Sequence, residues 1–242
     1  MNEEFISLKQ IDSANIIFNS QDFQYTNNRK KYADKIEAIW NYANNFSGKS
    51  YTNSNIFNVS QVKWVLPRQI DISGFFVEYK DYLAQKRDKT IKLDITPLGV
   101  SGIVKTYDQE DSEEKILFGK RTSNLTQYPN HFEMVPSGGI DDNHIENNCV
   151  LYKESLISEF EEELEINRNV INEIQVVAFV LDKKDAVYDI LMNINTNSKI
   201  EPNKERKNNE YSDFIYVPVA GIKEFINQNI IVPTSLSILN IL

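Results

Sequence analysis

Residues 158–166, Ser-Glu-Phe-Glu-Glu-Glu-Leu-Glu-Ile, constrain this chain more than any other stretch, because as a helix they separate into two faces. At about 100° per residue, Glu159, Glu162 and Glu163 fall within about a 100° arc. Ile157, Phe160 and Leu164 gather on another side, the stripe that buries a helix against a core. Glu161 and Glu165 point elsewhere, toward solvent. Like charges at these spacings repel by roughly 0.2–0.5 kcal/mol per pair. A helix that accepts this cost either leaves the face solvated or sets a cation on it. Carboxylate oxygens at such spacing suit Mg²⁺ or Mn²⁺, which also bind water and phosphate oxygens.

Upstream, Pro136-Ser137-Gly138-Gly139-Ile140 follows a strand-like His131-Phe132-Glu133-Met134-Val135. Paired glycines after a strand mark backbone that turns sharply or lies close to another group. Farther upstream, residues 98–105 and 116–121 read as two strands across an acidic turn at 108–114, a hairpin signal. Downstream, residues 175–181 and 187–194 are strand-like and rich in Val, Ile and Leu. Residues 210–218 then run into a helix expected over 220–228.

Strand, Gly-Gly loop and Glu-rich helix, in this order, resemble the Nudix hydrolases, whose box reads G-x5-E-x7-R-E-U-x-E-E-x-G-U with U apolar. Gly139 resembles the opening glycine, and Glu159, Phe160, Glu162, Glu163 and Ile166 match the E, U, E, E and closing U. The resemblance extends over about residues 97–242, including Arg121-Thr122 at the end of the second strand and the acidic loop with Glu210 before the last. Three positions depart from the pattern. Ser158 stands where the box has Arg, the guanidinium that orients the neighbouring glutamates. Glu165 stands where the box has its second Gly, a left-handed helix terminator, so the helix is expected to end slightly later, at Asn167. The stretch from Gly139 to Glu159 is about five residues longer than the box, which puts Val150 at the first Glu position. Asp141, Asp142 and Glu146 remain open as its replacement.

The resemblance implies an α+β fold, a Nudix-type α/β/α sandwich with a mixed sheet over residues 96–242. Residues 1–95 are expected to form a smaller α+β accessory domain that shapes the substrate pocket or a dimer contact. Within it, residues 32–42 and 75–87 read as helices, and 62–66 and 70–72 as short strands. A Gly-Lys/aromatic stretch and Tyr79-Lys80-Asp81-Tyr82 loosely resemble the larger Nudix proteins that act on UDP-sugars.

The 242-residue chain carries Lys+Arg 26 against Asp+Glu 35, a formal net charge of −9. That disfavours sequence-independent nucleic-acid binding, which rests on basic residues meeting phosphates. Cys149 is the single cysteine, so no intramolecular disulfide forms. No apolar run approaches the roughly 20 residues that span a bilayer, and nothing at the N-terminus resembles a signal sequence. A cytoplasmic protein without membrane or nucleic-acid partners is therefore expected. Its oligomeric state is not encoded in any readable pattern, a homodimer included. His131 and His144 lie far from any ligand partner for zinc.

The resemblance implies a Mg²⁺-dependent pyrophosphohydrolase, with Mn²⁺ as an alternative, acting on a small nucleoside diphosphate derivative such as an NDP-sugar. Glu159, Glu162 and Glu163 would be catalytic and hold metal, with Glu159 as the first candidate base. The Gly138 carbonyl and Glu210 would add ligands, and Arg121 and Gly139 would meet substrate. Ser158 and the displaced first Glu keep a second expectation open, a Nudix-like domain that binds a nucleotide or protein partner without hydrolysis. A third is an acidic helix face that merely meets solvent.

Overall fold

Strands that carry Val, Ile and Phe at alternate positions can bury a whole face only by pairing, and most of this chain does so. The computed structural model describes residues 6–19, 22–46, 51–108, 113–125, 127–197, 199–202 and 210–239. In chain order the elements are β1 (Ile6–Gln10), β2 (Ser13–Phe18), α1 (Phe23–Phe46), β3 (Asn55–Leu66), β4 (Gln69–Glu78) and α2 (Tyr79–Arg87). Next come β5 (Leu98–Asp108), β6 (Glu113–Arg121), β7 (Phe132–Met134), β8 (Ser137–Gly139), β9 (Ile145–Glu146), β10 (Cys149–Val150) and α3 (Tyr152–Leu164). The chain closes with β11 (Ile171–Asp182), β12 (Val187–Thr196), β13 (Tyr211–Pro218), α4 (Ile222–Gln228) and α5 (Pro233–Leu239).

These elements divide into two compact units. The larger comprises Met1–Ser13, Gly99–Gly138 and Tyr152–Leu242, and the smaller Ala14–Leu98 and Gly139–Leu151. Two segments thus lie outside the continuous 1–95 and 96–242 division drawn from sequence. β1 runs antiparallel to β11, pairing Ile6 with Asp182 and Gln10 with Ala178. Residues 139–151 join the smaller unit, where Cys149 of β10 pairs with Ile17 of β2.

The larger unit is built on one sheet in the order β1-β11-β12-β5-β6-β13, with β7 added to β6 and β8 to β5. One sheet face carries Ile103, Phe118, Ala178, Val180, Leu191 and Val217, and Ile222, Phe225 and Ile238 of α4 and α5 pack into the same core. The opposite face is also closed, since Val100, Leu117, Ile190, Met192 and Ile194 are buried. The helix bonded to sheet residues away from that core is α3, through Glu163 to the Ser137 amide and Tyr211, and through Lys153 to the Ile174 carbonyl. Helices on both faces of a sheet give the expected α+β sandwich.

The smaller unit has the sheet order β3-β4-β2-β10-β9 and the helices α1 and α2. Asp22 caps α1 by accepting from the Gln24 amide at 2.6 Å and the Tyr25 amide at 3.1 Å, which starts the helix nine residues before the expected 32–42 segment. Asp81 is fully buried and accepts from Arg29 Nε at 2.7 Å and from the Tyr25 hydroxyl, tying α1 to α2. The expected helix over 75–87 is corrected. Phe75 and Val77 are buried on β4, and helix begins only at Tyr79. Among the described residues no helix is long and apolar enough to cross a membrane.

Candidate active site

α3 buries Leu156, Phe160, Glu163 and Leu164, so the stripe that anchors the helix takes one glutamate with it. Glu163 is 4 % exposed. Its Oε2 accepts from the Ser137 amide at 3.0 Å, and the Tyr211 hydroxyl reaches Oε1 at 3.3 Å. Burial, and then the charges of Glu159, Glu210 and Glu133, push this carboxyl well above the usual carboxylate range, against the pull of the Ser137 amide.

Glu159, one helical turn earlier and half-buried, lies against Gly138. A Cβ on Gly138 would stand 2.0 Å from Glu159 Oε1 and 2.2 Å from its Cδ, so any larger residue there would push this carboxylate aside. Gly139, the residue matched to the box opening, has open space where its Cβ would be. The close approach that the paired glycines signalled therefore occurs at Gly138.

Glu162 is exposed, yet its charge is felt at Glu210 in the segment just before β13. Burial raises the Glu210 carboxyl, Arg121 opposes that rise, and Glu133 and Glu162 add to it. Glu210 also shares a hydrogen bond with Glu163. The three glutamates of the helix and Glu210, expected from separate parts of the chain, thus meet at one electrostatic centre.

Sequence reasoning missed Glu133 and Tyr211 as members of that centre. Glu133 of β7 is 5 % exposed, and its Oε1 accepts from the Tyr211 hydroxyl at 2.7 Å and from Arg121 Nη1. A glutamate between Phe132 and Met134 was the available signal, although strand alternation alone places it toward solvent. Arg121 also donates from Nε to the Gln127 carbonyl at 3.1 Å. Two of the guanidinium's donors are thereby committed within the protein rather than presented to a substrate.

Behind Ser137 lies a second buried acid, Asp189 of β12. The Ser101 hydroxyl donates to its Oδ2 at 2.6 Å, and Ser101 Oγ lies 3.1 Å from Ser137 Oγ. Asp189 Oδ1 has no hydrogen-bond partner. Burial pushes this carboxyl up to about 7, with the Ser101 bond opposing and the Glu133 charge adding.

The helix ends at Leu164, earlier than the expected stop at Asn167. Glu165 itself takes the left-handed conformation, with φ 55°, at the position where the box has glycine. Asn167 instead accepts from the Asn169 amide at 3.0 Å and opens a short 3-10 turn. Glu161 pairs with Arg168 at 2.8 Å on the outer side of α3. Asp141, Asp142 and Glu146, the open replacements for the first box glutamate, belong to the smaller unit. Asp142 there accepts from Asn55 Nδ2 at 2.7 Å.

The larger unit carries Gly138 on a strand, then the carboxylate-bearing α3, then the β11–β12 hairpin, the order expected from sequence. No family model matches the sequence, and no curated protein matches it. Similar solved structures include Tm1382, a putative Nudix hydrolase, at 11 % identity over 70 % of this chain and 80 % of that one, with a TM-score of 0.47. The Nudix domain of Shewanella oneidensis NrtR, complexed with ADP ribose, is 18 % identical over 66 % of this chain and 93 % of that one, with a TM-score of 0.43. A Nudix hydrolase from Alicyclobacillus acidocaldarius is 9 % identical over 59 % of this chain and 89 % of that one, with a TM-score of 0.41. Likeness this distant lends the chain neither substrate, metal nor residue roles.

Proposed function

We propose that the larger unit is a divalent-metal-dependent hydrolase that cleaves the pyrophosphate of a small nucleoside diphosphate derivative, an NDP-sugar among the candidates. The observation that carries this reading is the seat of Glu159 over Gly138, one helical turn from the buried Glu163 and within the same charge cluster as Glu210. A folded chain that crowds carboxylates together while keeping only hydrogen behind one of them has shaped that place for oxygen donors.

The donors fit Mg²⁺ or Mn²⁺. They are hard carboxylate oxygens. Among the described residues no three His, Cys, Asp or Glu side chains form a ready-made cage. When bound, such an ion neutralises phosphate charge and lowers the pKa of water.

The chain's own residues would do the rest. Glu162 and Glu159 present carboxylates at the open side of the helix, and Glu159 takes the proton from the attacking water. Glu163, fixed by the Ser137 amide and Tyr211, holds the inner edge of the centre. Water adds to one phosphorus, the bridging P–O bond breaks, and a nucleoside monophosphate and a phosphorylated partner leave. A second reading, nucleotide binding without turnover, is favoured by Ser158 in place of the box arginine. The test is product release from a panel of nucleoside diphosphate derivatives with Mg²⁺, with Mn²⁺ and with chelator. Metal-dependent release from any member supports hydrolysis, whereas panel members that raise the melting temperature without being cleaved support the binding module.

A further inference from the structure

We infer that Arg121 and Tyr211 are positioning residues that hold the acidic centre from the sheet, supplying the orienting guanidinium that Ser158 removes from the helix. The inference deepens the hydrolase reading and rests on it.

Three strands bring the parts together. Arg121 of β6 pairs with Tyr211 of β13, and Gly119 of β6 pairs with Glu133 of β7. Gly119 leaves the space the network needs, because a Cβ there would stand 2.5 Å from Tyr211 Cδ1 and 2.8 Å from Tyr211 Cε1. The tyrosine ring thus lies across the middle strand, and its hydroxyl arrives 2.7 Å from Glu133 Oε1 and 3.3 Å from Glu163 Oε1. On the other side Arg121 donates to the same Glu133 oxygen and is braced by the Gln127 carbonyl. The chain of contacts runs from Arg121 through Glu133 and Tyr211 to Glu163, whose second oxygen is fixed by the Ser137 amide next to Gly138.

The charges agree with this role. Glu133, Glu159 and Glu210 all act on Glu163, and the positive charge of Arg121 is felt at Glu210 and Tyr211. A cation at this point offsets part of the mutual repulsion without occupying a place among the outward-facing oxygens. The side chain of Arg121 is 14 % exposed and that of Glu133 6 %, so their pairing is little screened by water. A planar guanidinium with several donors can brace a carboxylate and a carbonyl at once, which a lysine ammonium does less well.

The test measures Mn²⁺ affinity of the full chain by calorimetry, with melting temperature recorded alongside. Partners that orient a metal's ligands typically contribute about 10–100-fold to affinity. Arg121→Met and Tyr211→Phe are each expected to weaken Mn²⁺ binding about tenfold or more. Methylguanidinium should restore part of the loss in Arg121→Met but none in Tyr211→Phe, and Ser158→Arg should restore part of it in the Arg121→Met background. Tyr211→Phe keeps the ring and deletes one hydroxyl, so it remains informative if Arg121→Met fails to fold. Lowered melting temperatures with wild-type Mn²⁺ affinity in both variants would overturn the inference and leave the network a purely structural one. Wild-type protein that binds no Mn²⁺ would overturn both this inference and the hydrolase reading. Wild-type binding with the expected losses, but no cleavage of any substrate, would overturn the hydrolase reading alone.

Discussion

Gly138→Ala tests the geometry of the centre with a single methyl group. The new Cβ would stand 2.0 Å from Glu159 Oε1, and ordinary contact begins at 3.4 Å. The carboxylate or the strand must therefore move by the difference, about 1.4 Å. A displacement of about 1 Å in a catalytic group costs about 100-fold in rate, or about 2.7 kcal/mol of barrier. Gly138 has no left-handed φ, so alanine is not strained by the backbone itself, and the damage should fall on the carboxylate. The matched control is Gly139→Ala, whose Cβ meets nothing within 4 Å. Steady-state kinetics on both variants, with circular dichroism melting curves, are expected to show kcat/KM down about 100-fold in the first and unchanged in the second. Equal activity in the two variants would refute the claim that Glu159 is seated on Gly138.

Glu165→Gly places glycine at the left-handed terminus of α3 and is expected to stabilise the chain by about 1 kcal/mol, raising Tm by about 2–4 °C. An unchanged or lower Tm would show that Glu165 gains from its surroundings more than its backbone strain costs. Asp189→Asn addresses pH dependence. Its carboxyl is held at about 7 against 3.8 unperturbed, so the folded state binds a proton that the unfolded state releases. That stabilisation is complete below about pH 4, declines as pH rises toward 7 and is absent above it. The asparagine variant should match wild type in urea unfolding at pH 4 and exceed it by up to about 4 kcal/mol at pH 8. A constant difference between the two proteins across that range would contradict the assignment.

The helix carboxylates were legible because spacing of three and four residues fixes a face whatever the helix packs on. Phe160 and Leu164 orient that face, and the structure keeps Glu163 at its buried edge and Glu162 outside. Which glycine of the pair is crowded was not legible, since the crowding atom comes from Glu159 more than twenty positions away in sequence. Glu133 was hidden for a related reason. Its burial depends on Arg121 and Tyr211, which reach it only through strand register across β7, β6 and β13. The 75–87 segment misled because Phe76, Tyr79 and Leu83 repeat at helical spacing, while Phe75 and Val77 alternate as β4 residues. Placing β1 beside β11 required a pairing between residues some 170 positions apart, to which local pattern is blind. The end of α3 shows the limit of residue preference. Glutamate disfavours a left-handed conformation, yet Glu165 adopts it where the chain must turn away.

The central claim is that the outward carboxylates of α3 carry metal-dependent turnover, and Glu162 is the residue to change. It is exposed, so Glu162→Gln removes one charge while leaving the core of the helix intact. Measured at saturating Mg²⁺ on whichever panel substrate the wild type cleaves, the variant is expected to lose turnover by 100-fold or more, on the order of one misplaced catalytic group, with Tm unaltered. Turnover equal to wild type in a folded Glu162→Gln protein would contradict the account.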